Sequence, residues 1–159
     1  MFSLFTPPPH EHPVLGTMHW RSGHWRTAVA LVGGDPTPLI LAGSRKKPDD
    51  AAISEALALP ELLVKHRQQI ASALFEHFEP YDDAHTDRRL IDEDGELPGI
   101  RNPRDALEES ELVAVLVKPL DGVMTVEFCF TTTWDREHTL GARFQRGEWL
   151  ELCGSTLVP

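Results

Sequence analysis

Short apolar runs separated by turn residues open the chain after its N-terminal prolines. The runs occupy residues 15–20, 24–32 and 38–43 and are rich in β-branched and aromatic side chains. Residues 21–23 and 33–36 between them carry the glycine, proline and aspartate that favour turns. This pattern predicts three antiparallel strands.

The middle of the chain changes to helical periodicity. Asp49 or Asp50 can cap the first turn of a short helix that runs to about Leu59, and Pro60 suits the first position of a second helix. Within residues 61–78, apolar side chains recur at three- to seven-residue steps and form one stripe. The stripe comprises Leu63, Ile70, Leu74 and Phe78, with Leu62 and Phe75 beside it. We expect this long amphipathic helix to pack on a sheet.

Two further hairpins are predicted in the last third of the chain. Residues 112–118 and 123–130 flank an Asp121-Gly122 turn, and apolar positions alternate in the second of these runs. A second glycine-containing turn separates residues 140–144 from 148–154. The predicted fold class is therefore α+β: an antiparallel β-sheet built from N- and C-terminal strands, with the long central amphipathic helix packed on one face.

The length of 159 residues is typical of one domain. We expect residues 1–13 to form a Pro-rich extended arm and residues 14–159 a single α+β domain, in which residues 79–110 are an acidic, loop-rich insertion. A short helix near Pro103–Glu109 fits within that insertion. Two cysteines, Cys129 and Cys153, lie in strand-like runs and are expected to be reduced thiols. The alternative is a disulfide between them, which their spacing does not require.

The distribution of negative charge along the chain limits the kinds of molecule that the protein can bind. The net charge is -10, and thirteen acidic but only four basic residues lie between Glu76 and Glu111. Such an acidic segment repels nucleic acid and anionic lipid and attracts a basic protein surface; alternatively, it is a solvated loop that aids solubility. The N-terminus lacks the features of a signal peptide, and no apolar run approaches membrane-spanning length. We expect a cytoplasmic protein with a protein partner, no nucleic acid and no membrane.

Common catalytic motifs are missing from the sequence. It contains no Gly-rich phosphate loop, no CxxC pair, no HExxH and no GxSxG. The sequence therefore favours a protein that is not an enzyme and predicts no cofactor and no metal site. His66 and His77 share one helix face, but they are eleven residues apart and cannot bind one ion.

The densest group of ionisable and aromatic residues is Trp134-Asp135-Arg136-Glu137-His138. Asp135, Glu137 and His138 are weak catalytic candidates, because two carboxylates and an imidazole can hold a metal or act as acid and base. His19 or His24 would join them if the sheet brought those strands close. Neighbouring residues on a strand point to opposite faces, however, so the alternative is structural, with Asp135 tightening the connection and Trp134 covering the edge of the core.

The same stretch carries a resemblance. The string Trp134-Asp135-x-Glu137-His138-x-Leu140-Gly141, followed by a turn glycine, resembles a family of uncharacterised bacterial proteins known as a domain of unknown function. Further matches are Pro13-Val14-Leu15-Gly16, Trp25, residues 39–43, Pro48-Asp49 and Leu74-Phe75. The resemblance covers roughly residues 13–154, although Thr139 stands where family members often have a second glycine. It implies no established activity; some members are regarded as candidate toxin-immunity proteins.

These observations favour a non-enzymatic protein-binding domain, an immunity-type inhibitor whose acidic surface covers the basic cleft of a bacterial toxin. Tyr81 and Ile91 are the expected apolar anchors of the contact. The expected acidic contact residues are Asp82, Asp83, Asp87, Asp92, Glu93, Asp94 and Glu96. The alternatives are a small metal-dependent or acid–base enzyme centred on the turn from Trp134 to His138, and a structural or accessory module that self-associates through a sheet edge.

Overall fold

One eight-stranded sheet organises the chain in the computed structural model, which describes residues 5–31, 33–86, 99–154 and 156. The strands are β1 (His10–His12), β2 (Gly16–Arg21), β3 (His24–Ala30), β4 (Pro36–Leu41), β5 (Gly43–Ser44), β6 (Lys47–Pro48), β7 (Ser110–Leu120), β8 (Val123–Thr132), β9 (Leu140–Gln145) and β10 (Glu148–Cys153). The helices are α1 (Asp50–Leu57), α2 (Leu59–Thr86) and α3 (Pro103–Glu108).

The order of strands in the sheet is β1-β2-β3-β4-β7-β8-β9-β10, and β5 pairs only with β6. Neighbours are antiparallel except β4 and β7, which run parallel with Leu39 opposite Val115. The predicted α+β class with an antiparallel sheet is wrong: strand predominates over helix in the part of the chain that the structure describes, and the sheet is mixed. The reason is that the chain passes through three helices between β4 and β7 and returns in the same direction.

Three of the hairpins close with two-residue turns in which both residues have positive φ. They are Ser22-Gly23, Asp121-Gly122 and Arg146-Gly147. Turns of this kind match the right-handed twist of the strands, and glycine occupies the second position without strain. Both turns predicted in the last third of the chain are confirmed.

The helix α2 covers one face of the sheet. Its fully buried apolar side chains include Leu59, Ile70 and Leu74. On the sheet they meet apolar residues of the central strands, chiefly Trp25, Leu39, Leu41, Val117, Phe128 and Phe144. Leu63 belongs to the predicted stripe but is only partly buried, because Leu62 and His66 take the neighbouring inward positions. Packing of this stripe on the sheet supplies most of the driving force for helix formation.

The helix α2 continues to Thr86 and contains Pro80, so it extends into the range that the sequence indicated as a loop. The predicted short helix is confirmed as α3, whose first residue is Pro103 and whose cap Asn102 accepts a 2.9 Å hydrogen bond from the Asp105 amide. Within the predicted N-terminal arm, residues 10–12 form β1 beside β2. Among the described helices, none combines the length and the apolar character needed to cross a membrane.

The two cysteines are not joined in a disulfide, and both lie on the same face of the sheet. Cys129 on β8 and Cys153 on β10 each lie opposite Gly141 of β9. Two strand spacings of about 4.8 Å separate their backbones, which exceeds the roughly 7 Å limit for a disulfide. The disulfide that the sequence left open would therefore require movement of the sheet.

Candidate functional site

The connection between β8 and β9, residues 133–139, lies against the second half of α2. We call it the 133–139 turn. Asp135 is its most engaged residue, with only 7% of its surface exposed. Oδ2 accepts a 2.8 Å hydrogen bond from the Tyr81 hydroxyl, and Oδ1 lies 2.9 Å from Nδ1 of His138. The Asp135 amide donates to the Thr132 hydroxyl at 3.2 Å, which closes the turn on itself.

The electrostatics of the turn keep Asp135 ionised. Burial raises the pKa of its carboxyl group, but hydrogen bonds from His138 and Tyr81 and the proximity of His138 outweigh burial and hold the pKa below the usual value. Burial, the hydrogen bond to Asp135 and the negative charges of Asp135 and Glu137 raise the pKa of Tyr81 to about 12. The hydroxyl of Tyr81 therefore remains a hydrogen-bond donor at neutral pH.

A second link joins the turn to α2. The indole Nε1 of Trp134 donates a 3.1 Å hydrogen bond to Nδ1 of His77, and the Trp134 ring packs edge-on against Phe78 at 5.6 Å. Burial lowers the pKa of His77; the charge of Asp135 opposes this effect and His138 adds to it. Since Nδ1 accepts from the indole, the neutral imidazole carries its proton on Nε2.

The turn brings together two of the three weak catalytic candidates. Asp135 pairs with His138 at a separation of three residues, whereas Glu137 is exposed. The arrangement resembles an acid–base dyad, in which a buried carboxylate orients an imidazole whose side chain is 58% exposed. Among the described residues, no group of three or more His, Cys, Asp or Glu is placed to hold a metal ion.

The sheet does not bring the other proposed histidines to the turn. His19 lies opposite Arg26 and His24 lies opposite Arg21. Both strands are separated from β8 by β4 and β7. The residues that do complete the network are His77 and Tyr81, which sequence reasoning did not assign to it. Their four-residue spacing, which places both on one face of α2, is the signal that could have indicated a shared site.

The expected contact surface is described only in part. Asp82 and Asp83 are exposed, and Tyr81 is partly buried with its hydroxyl on Asp135. Asp87, Ile91, Asp92, Glu93, Asp94 and Glu96 lie outside the described residues. Glu76 and Glu79 are also exposed on α2; Glu76 precedes Glu79 by three residues, and Glu79 precedes Asp82 and Asp83 by three and four. We call Glu76, Glu79, Asp82 and Asp83 the acidic stripe; none of them forms an ion pair with a described residue.

A groove of about 790 Å³ lies between α2 and β10. Its α2 side includes Lys65, Gln69, Ser72 and Glu76, and its β10 side includes Trp149 and Leu152. His66 fixes the two walls, because Nε2 of its buried ring lies 3.0 Å from the carbonyl oxygen of Gly147. His77 lines the groove as well, so the α2–β10 groove adjoins the network around the 133–139 turn.

A buried charge cluster occupies the face of the sheet opposite α2. Arg143 donates from Nε to Glu127 at 2.6 Å and from its terminal nitrogen to Glu151 at 2.8 Å. Glu127 has no exposed surface. Burial, followed by the charge of Glu127, raises the pKa of the neighbouring Cys129 thiol. The sequence did not indicate this cluster, because alternation in β8 shows only that Glu127 faces away from the helix.

These features define a sheet-dominated domain with one long helix on a single face and a polar network that fastens the β8–β9 connection to that helix. Residues 14–156 match the model of the family described as domain of unknown function (DUF6985), and the chain belongs to that family. No curated protein and no solved structure matches the chain.

Proposed function

We propose that this protein is a non-enzymatic protein-binding domain, an immunity-type inhibitor of a bacterial toxin, and that it contacts a basic surface of its partner. The observation that carries the proposal is the acidic stripe. Its four carboxylates are exposed, have no described cationic partner, and continue in sequence into the acidic residues from Asp87 to Glu96.

The position of the acidic stripe is unfavourable for the helix itself. Like charges three or four residues apart on a helix repel each other, and Glu79 has this spacing to Glu76, Asp82 and Asp83. Each such pair costs a few tenths of a kcal/mol at an exposed site. Because local stability disfavours these carboxylates, a role in recognition is a better explanation for their clustering than a role in folding.

The 133–139 turn supports this role by positioning the stripe. The hydrogen bond between Tyr81 and Asp135 attaches the helix to the turn immediately before Asp82 and Asp83. The bond from Trp134 to His77 attaches it one turn earlier. Two such links fix the part of the helix that bears the stripe, so the backbone loses less conformational freedom when a partner binds.

Inhibition would proceed by occlusion. A basic cleft that binds an anionic substrate on the toxin would be covered by the acidic stripe, and charge complementarity would accelerate encounter of the two proteins. The ring of Tyr81, partly buried beside His77 at 5.6 Å, would add apolar contact area at the centre. Association by this route weakens as the salt concentration rises.

The test captures partners from a host lysate with the wild-type protein and with Asp82→Asn/Asp83→Asn, and then measures affinity and salt dependence for the purified partner. Asp35→Asn/Glu61→Gln is the matched control, because it removes the same charge from exposed positions elsewhere. We expect a stoichiometric partner whose affinity falls only with the first variant. Equal affinity and equal salt dependence for both variants would refute the proposal.

An acid–base enzyme is the second candidate, and the geometry of His138 favours it. Asp135 engages Nδ1 of an imidazole whose side chain is 58% exposed, which leaves Nε2 outside that hydrogen bond. A panel of ester, phosphoester and amide substrates tests this function. Activity that His138→Ala abolishes while the free energy of unfolding is nearly unchanged would support it, and equal activity of variant and wild type would exclude His138 as the base.

A further inference from the structure

The strand β10 is one edge of the sheet. Among the described strands it pairs only with β9, so alternate backbone N–H and C=O groups along its six residues face outwards. The opposite edge, β1, has only three residues. An edge of six residues extends over about 20 Å, which is long enough to accept another strand.

The α2–β10 groove runs beside this edge. Lys65 and His66 mark one end, where they contact Glu148 at 3.9 Å and Gly147 at 3.0 Å. Glu76 lies eleven residues further along α2, about 16 Å away, at the other end. The groove and the exposed edge therefore have similar lengths and lie side by side, with the small residues Ser72 and Ala73 on the helix between the two ends.

The chemistry of the groove changes along its length. Trp149, whose ring packs on Phe144 at 5.4 Å, and Leu152 provide an apolar wall. At one end Nζ of Lys65 lies 3.9 Å from the Glu148 carboxylate, whereas at the other end Glu76 begins the acidic stripe. An occupant would therefore place apolar side chains against Trp149 and Leu152 and basic side chains at the Glu76 end.

Pairing of two copies of this chain through β10 is disfavoured. Glu148 and Glu151 lie on the edge, and the register shifts between Trp149 and Glu151, which leaves Leu150 as an unpaired bulge with 42% of its surface exposed. Acidic residues on an edge strand discourage pairing between identical edges, because like charges then face each other, whereas an occupant without acidic residues avoids this repulsion. The net charge of -10 on each copy opposes it further.

We propose that an extended segment of a partner protein, with apolar side chains followed by basic ones, binds in the α2–β10 groove by adding a strand to β10. Hydrogen bonds between backbones would supply affinity, and Trp149, Leu152 and Glu76 would supply selectivity. The inference rests on the proposed function and specifies how the basic partner is held.

A random peptide library displayed on phage, selected on the wild-type protein, is the probe. The best peptide is then synthesised in three forms: unmodified, and with each of the two alternating sets of backbone nitrogens methylated. Ser72→Trp fills the groove from a partly exposed position, and Ala28→Trp on the exposed surface of β3 is the control. Affinity is measured by titration, and amide NMR signals locate the bound peptide.

We expect enriched peptides that shift the amide signals of β10 and that lose at least about tenfold in affinity with Ser72→Trp but not with Ala28→Trp. One methylated form should bind at least about tenfold more weakly than the other, because only alternate amides of an added strand face β10. No enrichment, equal binding to Ser72→Trp, or equal binding of both methylated forms would overturn the inference.

The two variants separate the need for the acidic stripe from the need for strand addition in the groove. A peptide that binds in the groove with the same affinity to Asp82→Asn/Asp83→Asn and at all salt concentrations would support strand addition and contradict the acidic mode of the proposed function. A peptide whose affinity falls with Asp82→Asn/Asp83→Asn but not with Ser72→Trp would support the acidic mode of the proposed function and contradict strand addition.

Discussion

The hydroxyl of Tyr81 donates a 2.8 Å hydrogen bond to Oδ2 of Asp135, a residue 54 positions away in sequence. This bond joins the second half of α2 to the connection between β8 and β9. Because Asp135 also engages His138 and Thr132, it is the centre of the network that holds helix and turn together.

The ionisation of Tyr81 is a direct measure of that network. Tyr81 is the only tyrosine of the chain, so the ultraviolet absorbance of tyrosinate reports it alone. We expect a pKa of about 12, lowered but not fully restored to 10.0 in Asp135→Asn, because burial remains when the negative charge is removed. Glu137→Gln should lower the pKa less. A wild-type pKa near 10.0 would contradict the network.

Removal of the Asp135 carboxylate should destabilise the fold. In Asp135→Ala the Tyr81 hydroxyl loses its partner, and we expect a loss of about 1–3 kcal/mol in the free energy of unfolding. His138 is largely exposed, so His138→Ala should cost at most about 1 kcal/mol. Urea denaturation measures both, with exposed Glu137→Ala as the control. Equal losses for Asp135→Ala and His138→Ala would show that burial of the carboxylate is not the dominant factor.

Stability should fall as the pH decreases through 6.5 because of His77. Its pKa is lowered in the folded state, so the unfolded chain binds the proton more readily, and stability rises with pH between the folded pKa and 6.5. His77→Gln cannot titrate and should reduce this slope in urea denaturation at a series of pH values. His19→Gln, at an exposed position on β2, controls for the loss of one imidazole. An unchanged slope in His77→Gln would exclude His77 as the source.

Gly141 should not tolerate a side chain. A Cβ at this position would lie 2.6 Å from Cδ and 2.7 Å from Oε2 of Glu127, which is buried and bound to Arg143. We expect Gly141→Ala to lower the free energy of unfolding by about 1–3 kcal/mol. Gly154→Ala, where no atom lies within 4 Å of the added carbon, should change it by less than about 0.5 kcal/mol. Similar values for the two variants would mean that Glu127 moves at little cost.

The sequence predicted those turns and helices whose formation depends on residues that are neighbours in the chain. The turns at Asp121-Gly122 and at Arg146-Gly147 follow from the conformational freedom of glycine, and α3 follows from the cap at Asn102 and the proline after it. The stripe of α2 was also visible, although the helix continues through Pro80. Its length depends in part on contacts of His77 and Tyr81 with the 133–139 turn, which lie far away in sequence.

The sequence alone determined where most strands and helices form, which face of α2 is apolar and where the negative charge is concentrated, because propensity, periodicity and composition are properties of short segments. Only the tertiary structure decided that β7 joins β4 in parallel, that Asp135 meets Tyr81 and His138, and that α2 and β10 enclose a groove. These relationships depend on the packing of segments that are distant in sequence, and packing energy is shared among many residues. No single stretch of the chain therefore encodes them.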